Sequence, residues 1–337
     1  MTPVLVSVLM WTLVAVLLIL RRRRADRSIA YSAVTIAVAM TLNIDAAYIW
    51  VDGILGGTNV ATLLADLALM VGIFFLGRGV AKATRGATRI VRIALGRALL
   101  AIALVGVAAS FALIDRGSTT TTFMLDLGAQ PAAAAYSIIQ FAYDGVIMIA
   151  MAATAAQQIG LSRGSNRLPA VSLLIGSVSG FVLSIEIITM DLAHVAGNLE
   201  LMFGLSAAYD PLFLSTFVFL CLGLAGQPAL RWARARSRAR ATRGFVDRVT
   251  PIWERANRVR PGLSQFGEGL GAEDAETQLH RQVVEIRDAV IDPRVTFELS
   301  DGERVVVDEA EAHLIGSGAG TGGGEVSPRP ARPRPAQ

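Results

Sequence analysis

Apolar residues dominate seven stretches of the chain, roughly 3–20, 29–50, 59–77, 94–114, 133–156, 168–190 and 206–226, separated by short polar or Gly-rich intervals. At ~1.5 Å of rise per residue, about 20 residues cross a hydrocarbon core. None of the stretches carries the continuous polar face of a helix that lies on a water-exposed surface. The pattern predicts an all-α integral membrane protein, with seven transmembrane helices over residues 1–230.

The last third reads differently. A basic juxtamembrane segment over 231–243 leads into a small, mostly helical module over 244–315. A short helix is expected from about Pro251. Asp274 to Asp292 forms the clearest amphipathic pattern, with Leu279, Val283, Ile286 and Val290 spaced four, three and four apart along one apolar seam. Over 295–307, two β-branched runs around Asp301-Gly302 suggest a β-hairpin, with a helix through 305–314 as the competing reading. Gly, Pro and Arg dominate 316–337, the composition of a disordered tail.

Charge adds an orientation. The 31 Lys and Arg exceed the 27 Asp and Glu, but their placement matters more than their surplus. Basic clusters follow the first, third, fifth and seventh stretches: Arg21 to Arg24 with Arg27; Arg78, Lys82, Arg85, Arg89 and Arg92; Arg163 and Arg167; and the comb from Arg231. The opposite connections hold only Arg116. Cytoplasmic loops gather positive charge, so the N-terminus is expected outside and the C-terminus in the cytoplasm. The first stretch has its charges behind it, which is not the order of a secretory signal. Arg231, Arg234, Arg236, Arg238 and Arg240 would face anionic lipid of the inner leaflet, at about 1 kcal/mol per residue. The lone cysteine, Cys221, excludes an intrachain disulfide.

"LHRQVVEIRDAV" lies behind a seven-span region and the upstream "PIW…RPGL". Together with "NVATLLADLALMVG", it resembles an actinobacterial family of seven-helix membrane proteins, usually labelled as transporters. Their tail helix reads Leu-x-Arg-x-Val-x-Glu-Ile-Arg-Asp. The resemblance implies a multi-pass protein of the bacterial cell membrane and a more helical ending than the residues after Asp292 suggest. It carries over no binding residue.

The chemistry must therefore be read from the acids inside the apolar stretches: Asp45, Asp66, Asp144, Glu186 and Asp210. A charged carboxylate at a helix centre costs roughly 2.5–3.5 kcal/mol on insertion scales, so such residues face a partner or water within the bundle. By depth, Asp45, Glu186 and Asp210 lie about one turn below the outer surface, Asp66 about two turns, and Asp144 near the midplane. No Lys or Arg lies in the outer halves to pair with them. Tyr136, Gln140 and Asp144 recur every four residues, which makes one helix face polar from its outer edge to the midplane. These features predict an outward-facing acidic vestibule able to carry protons, cations or a small cationic solute. The alternative is a membrane sensor or scaffold whose 274–292 seam docks a cytoplasmic partner.

Gly176 and Gly180, on a small-residue ridge with Ser172 and Ser184, suggest close helix packing or self-association. Asp191, His194 and Glu200 are spaced too loosely for a metal site, and a solvated loop is expected there. A retinal protein would need a lysine in its last span, and the single lysine is Lys82. "AYDG" and "QPAL" match only part of the intramembrane aspartyl protease motifs, because the Gly-x-Gly-Asp element is missing. No P-loop, His-Glu-x-x-His or nucleophilic triad spacing occurs. The chain is expected to be no enzyme, and to need no cofactor and no nucleic acid.

Overall fold

The computed structural model describes residues 2–20, 28–82, 89–259 and 274–321. In chain order the helices are α1 (Thr2–Leu20), α2 (Ser28–Leu42), α3 (Asp45–Ile54), α4 (Val60–Lys82), α5 (Arg89–Ala94), α6 (Arg97–Ala112), α7 (Phe123–Leu127), α8 (Pro131–Leu161), α9 (Arg167–Val195), α10 (Leu199–Val259), α11 (Ala275–Ile291) and α12 (Asp301–Thr321). No strand occurs among the described residues. The basic residues Arg21 to Arg24, Arg27 and Arg85 lie outside them. The chain divides into two compact units, Met1–Arg231 and Trp232–Gln337.

Five helical segments are long and apolar enough to cross a membrane: Thr2–Ile19, Val60–Lys82, Pro131–Leu161 and Gly164–Val195 in the first unit, and Leu199–Val259, which begins there. The bent pair α2–α3 would make a sixth. The expected fourth span is represented by α6, which has only 16 residues. The helices are apolar on both sides, as lipid requires. Leu13, Leu17, Met70, Ile147 and Met151 fill the core, while Leu5, Val8, Ile102, Val105 and Ile185 point outward. Small residues set the closest approaches. A Cβ on Gly176 would stand 2.7 Å from the Leu220 backbone nitrogen, and one on Gly223 would stand 2.8 Å from the backbone nitrogen of Leu173. Gly180 faces Met148 and Thr216.

The expected straight span over 29–50 is broken. α2 and α3 meet at 89° across Asn43–Ile44. Asn43 competes locally with helical hydrogen bonding, and Asp45 favours the positive end of a new helix, so the sequence stops one helix and starts another. The turn is closed by Ile44 N–H donating to the Thr41 carbonyl at 3.1 Å.

In the second unit, the distal part of α10 packs with α11, the Phe297–Leu299 segment and α12. Val249, Ile252, Ala256, Leu279, Val283, Ile286, Ala289 and Val307 form its core. The expected separate helix near Pro251 is part of the uninterrupted α10. The hairpin over 295–307 is not formed: its second half is α12. The reason is a reciprocal cap in Ser300-Asp301-Gly302-Glu303. Glu303 N–H donates to Ser300 Oγ at 3.3 Å, and Ser300 N–H donates to Glu303 Oε2 at 2.9 Å. That capping box starts a helix where Asp-Gly alone would suggest a turn. Residues 316–321, expected in the disordered tail, continue α12, and 322–337 lie outside the described residues.

The apolar seam of α11 is also shifted. Leu279, Val283 and Ile286 are enclosed by the unit's own residues, but Val290 is exposed and Ala289 is buried in its place. The buried row follows 279, 282, 286 and 289, and the last turn extends past its cover. Around this core, charges pair at the surface. Arg255 grips Glu303 with two bonds of 2.7 Å, and Arg287 meets Asp308 and Glu311 at 2.5 and 2.8 Å.

Candidate functional site

Two polar assemblies occupy the first unit, and they differ in how fully their hydrogen bonds are satisfied. The first lies where α3 approaches the start of α4. Asp52 is fully buried, and its carboxylate accepts from Asn59 N–H at 2.9 Å, Ala61 N–H at 3.0 Å and the Thr119 hydroxyl at 2.6 Å. Asn59 sits in the left-handed region at φ 63°, a conformation that Asn tolerates better than most residues. Its side-chain oxygen accepts from Tyr48 and from Thr120 N–H, both at 2.8 Å. Its amide donates to the Arg116 and Ser118 carbonyls at 2.9 and 3.0 Å. Each polar atom of these two side chains is used.

The second assembly contains the expected acids. Tyr136 on α8 donates a hydrogen bond to Asp66 on α4, and Gln140, one turn further along α8, reaches the same carboxylate. Asp144, a further turn along, is buried and within electrostatic range of Asp66. Its Oδ1 has no hydrogen-bond partner. Glu186 on α9 is buried with both carboxylate oxygens unpartnered. Tyr209 on α10 is within electrostatic range of Asp66 and Glu186. Asp45 and Asp210 do not join this buried group: both side chains are exposed.

Sequence reasoning missed the rest of this assembly. Ser137 and Tyr143 on α8 are buried with unpartnered hydroxyls. Asp191, read from sequence as part of a solvated loop, is buried on α9. The Ser137 hydroxyl lies beside it without forming a hydrogen bond of good geometry, and Asp191 Oδ2 is unpartnered. A signal was present: Ser137, Gln140 and Asp144 are spaced three and four apart and share one helix face. Gly145 stands against Ser184, and Gly180 against Met148. This antiparallel register runs α9 back along α8 and brings Asp191 level with Ser137. The Asp52 assembly was missed too, although "GGTN" before an apolar run is a helix-start signature.

A buried ionised carboxylate without a counter-charge is expensive, and Asp144 Oδ1 and both Glu186 oxygens have no partner within the protein. Among the described residues no three His, Cys, Asp or Glu side chains are gathered as metal ligands. His194 lies apart from Glu200 in role: it packs on Gly128, whereas Glu200 is exposed.

The other singled-out residues are placed as follows. Arg231, Arg234, Arg236 and Arg240 are exposed along α10, while Arg238 is half-buried and pairs with Glu276 at 3.2 Å. Arg236 stacks over Trp232. Arg78 donates to the Leu95 carbonyl at 3.2 Å. Comparison with family models, curated proteins and solved structures finds no match.

Proposed function

We propose that the chain is a carrier for protons, cations or a small cationic solute, and that Asp144, Glu186 and Asp66 hold the transported charge. The observation that carries this reading is the set of buried carboxylate oxygens on Asp144 and Glu186 that no group in the protein satisfies. Tyr136 and Gln140 position Asp66. Asp144, one turn beyond Gln140, is the deepest acid on that face. In this reading α2 and α6 cross the bilayer along with the five longer helices, giving seven crossings with the N-terminus outside. The membrane is a bacterial cell membrane, and the second unit is cytoplasmic. The exposed arginines of α10 then meet the anionic inner leaflet. A sensing or scaffolding role through Leu279, Val283 and Ile286 has less support, because the unit's own core covers those side chains.

The test is dissipation of an imposed pH gradient in proteoliposomes. The wild-type protein should move protons, alone or in exchange for a monovalent or organic cation, and Asp144→Asn should abolish the flux. If neither protein moves protons with any cation tried, the carrier reading is wrong.

A further inference from the structure

α3 follows a helix that packs lengthwise against an apolar 23-residue helix. Ser32 Oγ on α2 donates to the Gly72 carbonyl of α4 at 2.6 Å, and Ile36 lies where a Cβ on Gly72 would fall. A helix turned 89° from α2 therefore runs across the axis of the α2–α4 pair. One face of α3 is fixed to the protein. Tyr48 is hydrogen-bonded to Asn59 and Thr62, and one turn on, Asp52 accepts from the first backbone N–H groups at the α4 start.

The opposite face holds Ala46, Ile49, Trp50, Gly53 and Ile54, all exposed and none of them charged or hydrogen-bonding except for the Trp50 indole N–H. Ile49, Trp50 and Ile54 are 53%, 69% and 67% exposed. A helix facing water carries its polar residues on the outside. Here Tyr48 and Asp52 face the protein, Asp45 alone of the polar side chains is exposed, at the first turn, and the rest of the outward face is apolar, the reverse of a water-facing helix. The exposed face continues the apolar exterior of the neighbouring spans, where Val38 of α2 and Leu64 of α4 also point outward.

We infer that α3 is an interfacial helix, whose Ile49–Trp50–Ile54 face is seated in the lipid headgroup and upper acyl region at the end of α2. An indole with one polar edge suits that depth, and apolar area sets the strength of such seating. This places a protein–lipid contact directly behind Tyr48, which lies within electrostatic range of Asp66.

The experiment is tryptophan quenching in vesicles containing the full chain, with the Trp50 signal taken as wild type minus Trp50→Phe. Phosphatidylcholine brominated next to the headgroup should remove most of that signal. Bromines at the acyl terminus should remove less, and aqueous iodide little. A second reporter on the same face, Ile54→Trp in the Trp50→Phe background, should behave alike. Quenching by iodide but not by bromolipid would place the face in water and overturn the inference. Protection from both quenchers would mean that protein, such as a second copy, covers it, and would overturn the inference equally.

Discussion

Asp52 and Asp144 are both buried acids within one helical unit, 0% and 4% exposed, yet they are held in opposite ways. Asp52 accepts hydrogen bonds on both oxygens from groups that would otherwise be orphaned at a helix start and a loop. Asp144 has an oxygen that nothing satisfies. Burial alone therefore does not separate a carboxylate that holds the fold together from one left short of donors. The count of donors does. A satisfied buried acid fixes backbone geometry, whereas an unsatisfied one costs stability that only a ligand or proton offsets.

The contrast can be broken most forcefully at Asp52. Asp52→Ala leaves Asn59 N–H, Ala61 N–H and the Thr119 hydroxyl without their acceptor in a closed site. At roughly 1–3 kcal/mol for each unsatisfied buried group, partly relieved by water, the loss should reach about 3–5 kcal/mol. Denaturant unfolding in detergent would measure it. A loss below about 1 kcal/mol would show that the network around Asn59 does not depend on this acid.

Glu303 in the second unit is a third case: its carboxylate is well satisfied and lies near the surface. The paired Arg255 guanidinium, helped by the Ser300 backbone N–H, holds Glu303 down to about 2 from its ordinary 4.5. A lowered value means that the ionised form is favoured in the folded state. The stabilisation is therefore complete above about pH 4.5 and is lost as the pH falls towards about 2. Arg255 is 44% exposed, so water screens the pair and the effect should stay near 1 kcal/mol. Hydrogen exchange along α12 should show that difference between wild type and Glu303→Gln at neutral pH, closing at about pH 2. A difference that persisted unchanged at acid pH would remove Arg255 as its cause.

These differences were unequally visible in the sequence. Hydrophobic runs located the long helices because crossing lipid leaves few alternatives to a helix. The 89° break was not read from the sequence, since neither Pro nor Gly marks it; the local signals, Asn43 and Asp45, are weak, and the turned helix is held by Tyr48 and Asp52 meeting the loop after Ile54 and by Thr119, far away in the chain. Tyr136, Gln140 and Asp144 were legible from spacing, because one face of α8 holds all three. Asp191 was not, because a polar-looking stretch at a helix end gave no hint that α9 carries it inward beside α8. The Ser-x-x-Glu cap was present as text, but Asp-Gly and three valines argued for strands. The local cap outweighed β propensity, which depends on cross-strand neighbours that this segment lacks.

The smallest expected effect is the most discriminating. Asp144→Asn keeps the shape of the side chain and removes only its capacity to ionise. No donor in the protein loses its acceptor at Oδ1, so stability should change by less than about 1 kcal/mol. A loss of several kcal/mol would mean that the carboxylate serves the fold as Asp52 does, and the distinction drawn from donor counts would fail. With stability preserved and proton flux abolished, the acid is retained for what visits it. The same substitution thus reads structure and transport separately, and only the combination of a silent melt and a silent transporter fits a carboxylate left unsatisfied for use.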